Sequence, residues 1–227
     1  MIVKNDIPND MALNLLTTYL KLSREKVEPT IEEISENTLI VKELVEAYLR
    51  EIFKNLDTLE KRRVKAAKTA ILLGVEGERI AKYLDWKEFE ELAVELFSEA
   101  GYRVIKNVKL KIDKNRIQID LIACRDNVML VVDCKHWNKP PAYSARRKIV
   151  VRQEERINQL SKIGGEVEVI MVPVVLTLYT PRELIVEGHP YVPIGKIRGF
   201  IEWFTNNYPF LKYFKARINL EKIFLHK

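Results

Sequence analysis

The sequence contains few of the residues that build disulfide frameworks and zinc sites. It has two cysteines, Cys124 and Cys134, and three scattered histidines, with no Cys-x-x-Cys pair. A structural zinc site, which needs four Cys or His ligands close together, is therefore not expected. The two cysteines fall on opposite faces of the strands predicted below, so we expect no disulfide and a reducing compartment, the cytoplasm.

Long apolar runs are also missing. No stretch is long enough to cross a bilayer, and the Met1 end lacks the apolar core of a secretory signal peptide, so we expect no membrane partner. The chain of 227 residues is long enough for one large or two small domains with proper cores. Its hydrophobic fraction of 47% is ordinary for a globular protein.

Acidic residues are fewer than basic residues only in the second part of the chain. Residues 1–86 carry 14 Lys and Arg against 15 Asp and Glu, whereas residues 87–227 carry 24 against 17. A basic stripe of this kind neutralises phosphates and predicts DNA as a partner. The alternative is a solvated lysine surface, common in Lys- and Glu-rich proteins from hot environments. The candidate nucleic-acid contacts are Lys111, Lys114, Arg116, His136, Arg146, Arg147 and Lys148.

Two apolar runs predict a β-hairpin. Residues 116–124 and 129–135 are rich in β-branched and aliphatic side chains, and they flank Asp126-Asn127. Asp and Asn tolerate the positive φ of a tight primed turn, so this pattern is a hairpin signal. We therefore expect Arg125 to pair with Val128 across the turn.

This register places four polar residues on one face of the hairpin. Asp120 lies opposite Asp133, and Gln118 lies opposite Lys135, because side chains alternate along a strand. The other face is expected to be core, formed by Ile119, Leu121, Ala123, Leu130, Val132 and Cys134. Two carboxylates placed directly across a sheet repel each other. A divalent cation held between them is the simplest reason for such a pair.

The segment before the hairpin predicts an amphipathic helix from Trp86 to about Gly101. An apolar stripe at helical spacing includes Phe89 and Phe97. Asp85 is a plausible N-cap with Glu88 three residues later, and Gly101 suits the position after the helix. Among the glutamates, Glu90 projects closest to the stripe. It is either a rim residue or an acid that faces the sheet, and the strand carboxylates favour the second interpretation.

These residues together resemble a known family. Asp120, a short loop and then Asp133-x-Lys135 on the next strand resemble the PD-(D/E)xK nucleases, the restriction-endonuclease-like superfamily. Phe89-Glu90 followed by Gly101-Tyr102 is similar to Mrr-type restriction endonucleases and archaeal Holliday-junction resolvases, over about residues 86–205. The sequence departs from the pattern at Ile119, which replaces the proline before Asp120, and has no glycine just before the strand.

The resemblance implies an α/β fold with a central mixed sheet flanked by helices, and a Mg²⁺- or Mn²⁺-dependent DNA endonuclease without an organic cofactor. Asp120, Asp133 and the Cys134 backbone carbonyl would be ligands of the metal ion, and Glu90 would bind a second ion or a water on the metal. Lys135 would orient or help to deprotonate the attacking water. Nucleases of this kind often pair as homodimers to cut both strands.

The region after the hairpin predicts a helix over about residues 144–163, ended by two glycines, with Gln153 in the middle of its apolar face. A buried glutamine must find a hydrogen-bond partner. It is either an ordinary amide bonded to the backbone or the counterpart of a glutamine that several families of the superfamily orient at the metal site, with Arg156 as a phosphate contact. Residues 167–178 predict a buried strand in which Pro173 marks a bend or an edge.

The first third of the chain predicts only helices. Segments 11–22, 30–36, 41–55 and 59–73 resemble a helix-turn-helix arrangement within a domain of residues 1–84, followed by a nuclease-like domain of residues 85–227. The expected recognition helix, 41–55, carries Glu43, Glu46 and Glu51, which argue against tight major-groove binding. Packing or dimerisation is an equally good role for it. The cluster Lys61-Arg62-Arg63-x-Lys65 is expected to be a solvated face.

Three functions therefore compete: an active endonuclease of restriction or DNA-repair type, a catalytically inactive nucleic-acid-binding or assembly module, and a helix-turn-helix regulator. The complete set of Glu90, Asp120, Asp133 and Lys135 favours the first over the second. The acidic recognition helix disfavours the third.

Overall fold

The structure is a computed structural model that describes residues 7–112, 114–137 and 141–224. The chain divides into two compact units, Met1–Leu92 and Ala93–Lys227, and the boundary lies inside helix α6 (Trp86–Glu99). No helix within the described ranges is long and apolar enough to cross a membrane. The sequence-based division after residue 84 stays a prediction.

The first unit is helical, as expected. Besides the start of α6 it contains α1 (Asn9–Leu22), α2 (Ile31–Thr38), α3 (Lys42–Ile52), α4 (Leu59–Leu72) and α5 (Gly77–Ala81). A capping box opens α2: the Glu33 N–H donates to Thr30 Oγ1 (3.1 Å), and the Thr30 N–H donates to the Glu33 carboxylate (2.8 Å). Its helix-turn-helix character stays a prediction.

One arginine of the expected solvated cluster is buried instead. Arg63 has no exposed surface, and its Nε donates to Glu88, which is equally buried, over 2.8 Å. Its Nη1 donates to Ser23 Oγ (2.6 Å) and to the Leu20 carbonyl (3.2 Å). The sequence prediction failed here because the carboxylate that neutralises Arg63 comes from a distant helix. Glu88 also completes the predicted cap of α6, since its N–H donates to Asp85 Oδ1 over 2.9 Å.

The second unit is built on a mixed sheet flanked by helices, which confirms the expected fold class. Its strands are β1 (Arg103–Ile112), β2 (Asn115–Arg125), β3 (Val128–Lys135), β4 (Val167–Thr177), β5 (Ile185–Val186), β6 (His189–Pro193) and β7 (Phe214–Ile218). They are ordered β1-β2-β3-β4-β6-β5, with β7 paired to β4. The pairs β3–β4 and β4–β6 are parallel. The helices of this unit are the end of α6, α7 (Tyr143–Leu160), α8 (Ile197–Asn207) and α9 (Leu220–Phe224).

Helix α7 covers one face of the sheet. Near its end, Ile157 and Leu160 pack with Val131 of β3. Nearer its start, Ile149 and Val150 pack with Val175 and Tyr191 of β4 and β6. The helix therefore runs across several strands, and residues from its two ends reach different parts of the same sheet face.

The predicted hairpin register is confirmed where β2 and β3 pair. The pairs run from Arg125–Val128 to Leu121–Val132. In the turn, Asp126 has φ 55° and Asn127 does not share that conformation. One positive φ at the first central residue suits a type II′ turn.

The expected alternation of β2 is wrong near Asp120. Ile117 and Ile119 pack in the same apolar cluster as Ile122, although strict alternation would put residues of odd and even number on opposite faces. The position opposite Asp120 on β1 is Asn107, which has φ 53°. Asn is one of the few residues that adopt this left-handed conformation readily. Both strands thus shift phase at this point.

Pro173 lies in the middle of the sheet rather than at an edge. Strand β4 pairs with β3 along its length, but on its other side β7 pairs only as far as Met171 and β6 begins at Val175. Pro173 occupies the gap between these two partners, where no N–H is needed.

We predict that Glu88→Gln destabilises the protein by about 3 kcal/mol, because it leaves the buried Arg63 charge without its partner. Urea unfolding measures the difference. Glu46→Gln, which breaks the exposed Arg50–Glu46 pair, is the matched control and should change the free energy of unfolding by less than about 0.5 kcal/mol. Equal effects of the two substitutions would refute the role given to Arg63.

Candidate active site

A buried carboxylate between two cations lies at the end of β3. Asp133 is only 1% exposed. Its Oδ1 is 2.6 Å from Arg156 Nη1, and its Oδ2 is 2.7 Å from Lys135 Nζ. Lys135 shares the face of Asp133 because it follows two residues later on the strand. Charged groups this deeply buried need partners, and Lys135 and Arg156 supply them for Asp133.

Asp120 approaches the same place from β2. Its Oδ2 accepts the backbone N–H of Cys134 over 2.8 Å. Burial raises the pKa of the Asp120 carboxyl, and the negative charge of Asp133 adds to this, while the Cys134 N–H, Lys135 and Arg156 act in the opposite direction. The two carboxylates are therefore close enough to repel, as the hairpin register predicts.

Helix α7 supplies Arg156, which contacts Asp133, and Gln153, which contacts Arg156. Gln153 is fully buried, and its Nε2 donates to the carbonyls of Val131 (3.1 Å) and Val174 (3.3 Å). Its Oε1 accepts a hydrogen bond from Arg156 Nη1 over 3.0 Å. Gln153 is thus an amide bonded to the backbone, and its other end orients the guanidinium that contacts Asp133.

Gln118 takes a different position from the one predicted. It is exposed, and its Nε2 donates to Asn107 Oδ1 over 3.3 Å. The pairing of β2 with β3 ends at Leu121–Val132, and the phase shift at Asp120 turns the preceding residues. The predicted pairing of Gln118 with Lys135 is therefore wrong. Asn107, which the sequence analysis missed, was identifiable only as a polar residue inside an otherwise regular strand pattern.

The carboxylate set is smaller than the resemblance implies. Glu90 is half-buried on α6 and belongs to the first unit, and its catalytic role stays a prediction. Within residues 7–112, 114–137 and 141–224, no group of three His, Cys, Asp or Glu side chains is arranged to hold a metal ion.

The donors present nevertheless suit a hard cation. Mg²⁺ in proteins is commonly held by one or two carboxylates and keeps several waters, so Asp120 and Asp133 are a sufficient protein contribution. Asp133 Oδ2 is buried without a well-aligned hydrogen bond, although the Lys135 ammonium is near it. We regard that contact as an ion pair because charge attraction needs no hydrogen-bond alignment. This oxygen retains the capacity to bind a cation.

The seven candidate nucleic-acid contacts differ in exposure. Lys111, Lys114, Arg116, Arg147 and Lys148 are exposed, His136 is half-buried and Arg146 is buried. Lys111 and Arg116 form a cross-strand pair of like charges in the β1–β2 hairpin. Like charges placed opposite each other destabilise a hairpin unless an anion lies near them. The nucleic-acid role of all seven stays a prediction.

Comparison with known proteins supports the family resemblance. Residues 81–155, about a third of the chain, match a family model (Mrr_cat) described as restriction endonuclease. This range includes Glu90, Asp120, Asp133, Lys135 and Gln153. The match confirms the predicted resemblance and is consistent with the PD-(D/E)xK superfamily. It supports a nuclease of the restriction-endonuclease type.

No curated protein sequence matches the chain. The crystal structure of a protein of unknown function is similar at 20% identity, with a TM-score of 0.33, over 49% of this chain and 52% of that one. The similarity thus spans about half the length of that protein.

We predict that Asp120→Asn raises the free energy of unfolding at pH 7. Because the folded-state pKa of Asp120 is raised, the wild-type protein loses stability as pH rises through that pKa, and asparagine removes this loss while its amide oxygen keeps the Cys134 bond. The gain should shrink as pH falls toward the unfolded-state pKa of about 3.9. Urea unfolding between pH 8 and pH 4 measures it, with Asp126→Asn in the exposed turn as control. A gain independent of pH, or a loss at pH 7, would contradict the assignment.

Proposed function

We propose that the protein is a divalent-metal-dependent DNA endonuclease whose active site contains Asp120, Asp133 and Lys135. One observation carries the proposal: a fully buried carboxylate, neutralised by a lysine and an arginine, lies beside a second carboxylate whose protonation is favoured. A core gains no stability from such a group. The similarity of this segment to restriction endonucleases supports the same conclusion.

Asp120, Asp133 and the Cys134 backbone carbonyl would hold Mg²⁺ or Mn²⁺, which prefer oxygen ligands. When bound, the ion supplies Lewis acidity at the phosphate and helps to generate the nucleophile. Asp120 and Asp133 repel each other, so the two carboxylates would favour a cation even before DNA is present.

Lys135 has two tasks in this proposal. In the free protein its ammonium neutralises Asp133. In catalysis the Lys135 ammonium would orient the attacking water and stabilise the negative charge that grows on the phosphate. Its side chain is 21% exposed, which leaves it room to turn toward a substrate. Arg156 stays on Asp133 because Gln153 also holds it.

The β1–β2 hairpin supports DNA as the substrate. Its pairing continues to Ile112–Asn115, whereas the β2–β3 pairing ends at Leu121, so a two-stranded ribbon extends beyond β3 from the position of Asp120. Lys109, Lys111 and Arg116 are exposed on this ribbon. Basic side chains on such a ribbon suit the phosphates that border a groove of DNA.

We predict that the purified protein cleaves plasmid or branched DNA with Mg²⁺ or Mn²⁺ and not with EDTA. Asp133→Asn and Lys135→Gln should each lower the cleavage rate by about a hundredfold or more, because Asp133 would hold the metal ion and Lys135 would stabilise the charge that develops at the phosphate. Glu90→Gln tests in the same assay the role that the resemblance gives to Glu90.

Gel analysis of nicked and linear products measures these rates, and Glu202→Gln, an exposed acid on α8, serves as the control that keeps wild-type cleavage. Cleavage by Asp133→Asn at the wild-type rate would exclude the proposed site. A wild-type protein that binds DNA and leaves it uncut with either metal would favour the inactive-module alternative.

A further inference from the structure

A second group of buried polar atoms lies beside the candidate active site. Among the described residues, the buried side-chain atoms without a hydrogen-bond partner include Arg146 Nε, Arg146 Nη1 and the Tyr179 hydroxyl. Arg146 is 7% exposed and Tyr179 is 8% exposed. An unsatisfied buried donor costs about 1–3 kcal/mol, and native proteins keep few of them. Three such donors in one place call for a ligand that satisfies them.

The position of this group follows from the strand register. Asp133 is paired with Val175, and Val175 is paired with Tyr191, in two successive parallel pairs. Neighbouring strands are about 4.8 Å apart, so Tyr191 lies about 10 Å along the sheet from Asp133. The Tyr191 hydroxyl donates to the backbone carbonyl of Arg146 over 2.9 Å. Arg146 is therefore fixed over the same sheet face, two strands away from Asp133.

The chemistry of the group selects an oxyanion. Both bidentate edges of the Arg146 guanidinium include Nη2, which pairs with Glu183. Once Glu183 leaves, Nη2 forms a planar fork with one of the two unpartnered nitrogens, Nε or Nη1, and this fork matches two oxygens of a phosphate. Burial raises the pKa of Tyr179 to about 12, so its hydroxyl is protonated at neutral pH and donates as well. The Tyr179 ring stacks on Trp137 with ring centroids 6.3 Å apart, which holds the hydroxyl in place.

The Glu183 carboxylate occupies part of the space around the Arg146 guanidinium. Arg146 Nη2 forms an ion pair with Glu183, whose side chain is 45% exposed. Glu183 belongs to the irregular segment 178–184 between β4 and β5. An exposed carboxylate on an irregular segment can leave at little cost, whereas Arg146 is fixed by its helix and by Tyr191.

We propose that Arg146 and Tyr179 form a phosphate-binding subsite, which receives a nucleic-acid phosphate near the one that is cleaved and which Glu183 closes in the absence of nucleic acid. The choice of nucleic acid rests on the proposed function. The subsite itself rests on the buried, unsatisfied donors, so it is tested by binding without cleavage.

The test measures the affinity for a fluorescently labelled DNA duplex by anisotropy in EDTA. Arg146→Gln should weaken binding about tenfold or more, because it removes charge-assisted hydrogen bonds worth about 1.5–3 kcal/mol. Arg198→Gln removes one positive charge from a side chain that is 81% exposed and should change the affinity less than about twofold. Equal effects of Arg146→Gln and Arg198→Gln would overturn the proposal.

Tyr179→Phe separates binding from folding. Because the hydroxyl has no partner, its removal should leave the melting temperature unchanged or higher, while the affinity for DNA falls severalfold. A stable Tyr179→Phe protein with wild-type affinity would show that the hydroxyl takes no part in a subsite.

Glu183→Gln tests the closing contact. It should raise the affinity for DNA severalfold in the wild-type background and have no effect in the Arg146→Gln background, because the two side chains compete for one position. Glu202→Gln removes an equivalent exposed charge and is the control. The same gain in both backgrounds would mean that Glu183 only repels DNA at long range and would overturn its closing role.

Inorganic phosphate distinguishes the source of the ligand. The subsite would be assigned to free phosphate, and the nucleic-acid assignment overturned, if phosphate raised the melting temperature of the wild-type protein but not of Arg146→Gln while both proteins bound DNA equally well. If Arg146→Gln loses DNA binding and the wild-type protein cleaves no DNA, the subsite is supported and the proposed endonuclease is refuted. If the wild-type protein cleaves DNA and Arg146→Gln binds DNA as tightly as the wild type, the endonuclease is supported and the subsite is refuted.

Discussion

The repulsion between Asp120 and Asp133 is the constraint around which the second unit is arranged. Asp133 is buried and Asp120 is half-buried at the point where β2 leaves β3. Lys135, Arg156 and the Cys134 N–H each reduce the cost of this placement without removing it. Carboxylates that destabilise the folded state in this way are typical of functional sites, where their charge is used.

Helix α7 connects this pair to the rest of the proposed substrate surface. Gln153 ties the helix to the backbone of β3 and β4 and orients Arg156 on Asp133. Two turns earlier the same helix carries Arg146, which Tyr191 fixes over β6. One rigid element thus sets the distance between the carboxylates and the proposed phosphate subsite, which is how a site gains precision from regular structure.

Much of this site could be predicted from the sequence because its determinants are local. The turn at Asp126 fixes the register, and the register brings Asp120 to Asp133. The cap formed by Asp85 and Glu88 is local in the same sense.

The remaining features depend on residues far apart in the chain. Arg63 is buried because Glu88 reaches it, and Pro173 is tolerated because two other strands stop on either side of it. The phase shift at Asp120 depends on Asn107 of the neighbouring strand, so Gln118 could not be placed correctly from β2 alone. Strand β7 was not predicted, although Phe214, Ala216 and Ile218 alternate with Lys215 and Arg217, because the strand has only five residues and its pairing with β4 joins distant parts of the chain.

Direct titration with Mn²⁺, followed by electron paramagnetic resonance of the free ion, tests the central claim that Asp120 and Asp133 grip a common cation. The account predicts saturable binding to the wild-type protein, and loss of that binding when both aspartates are replaced by asparagine. Undiminished Mn²⁺ binding by a folded double variant would contradict it.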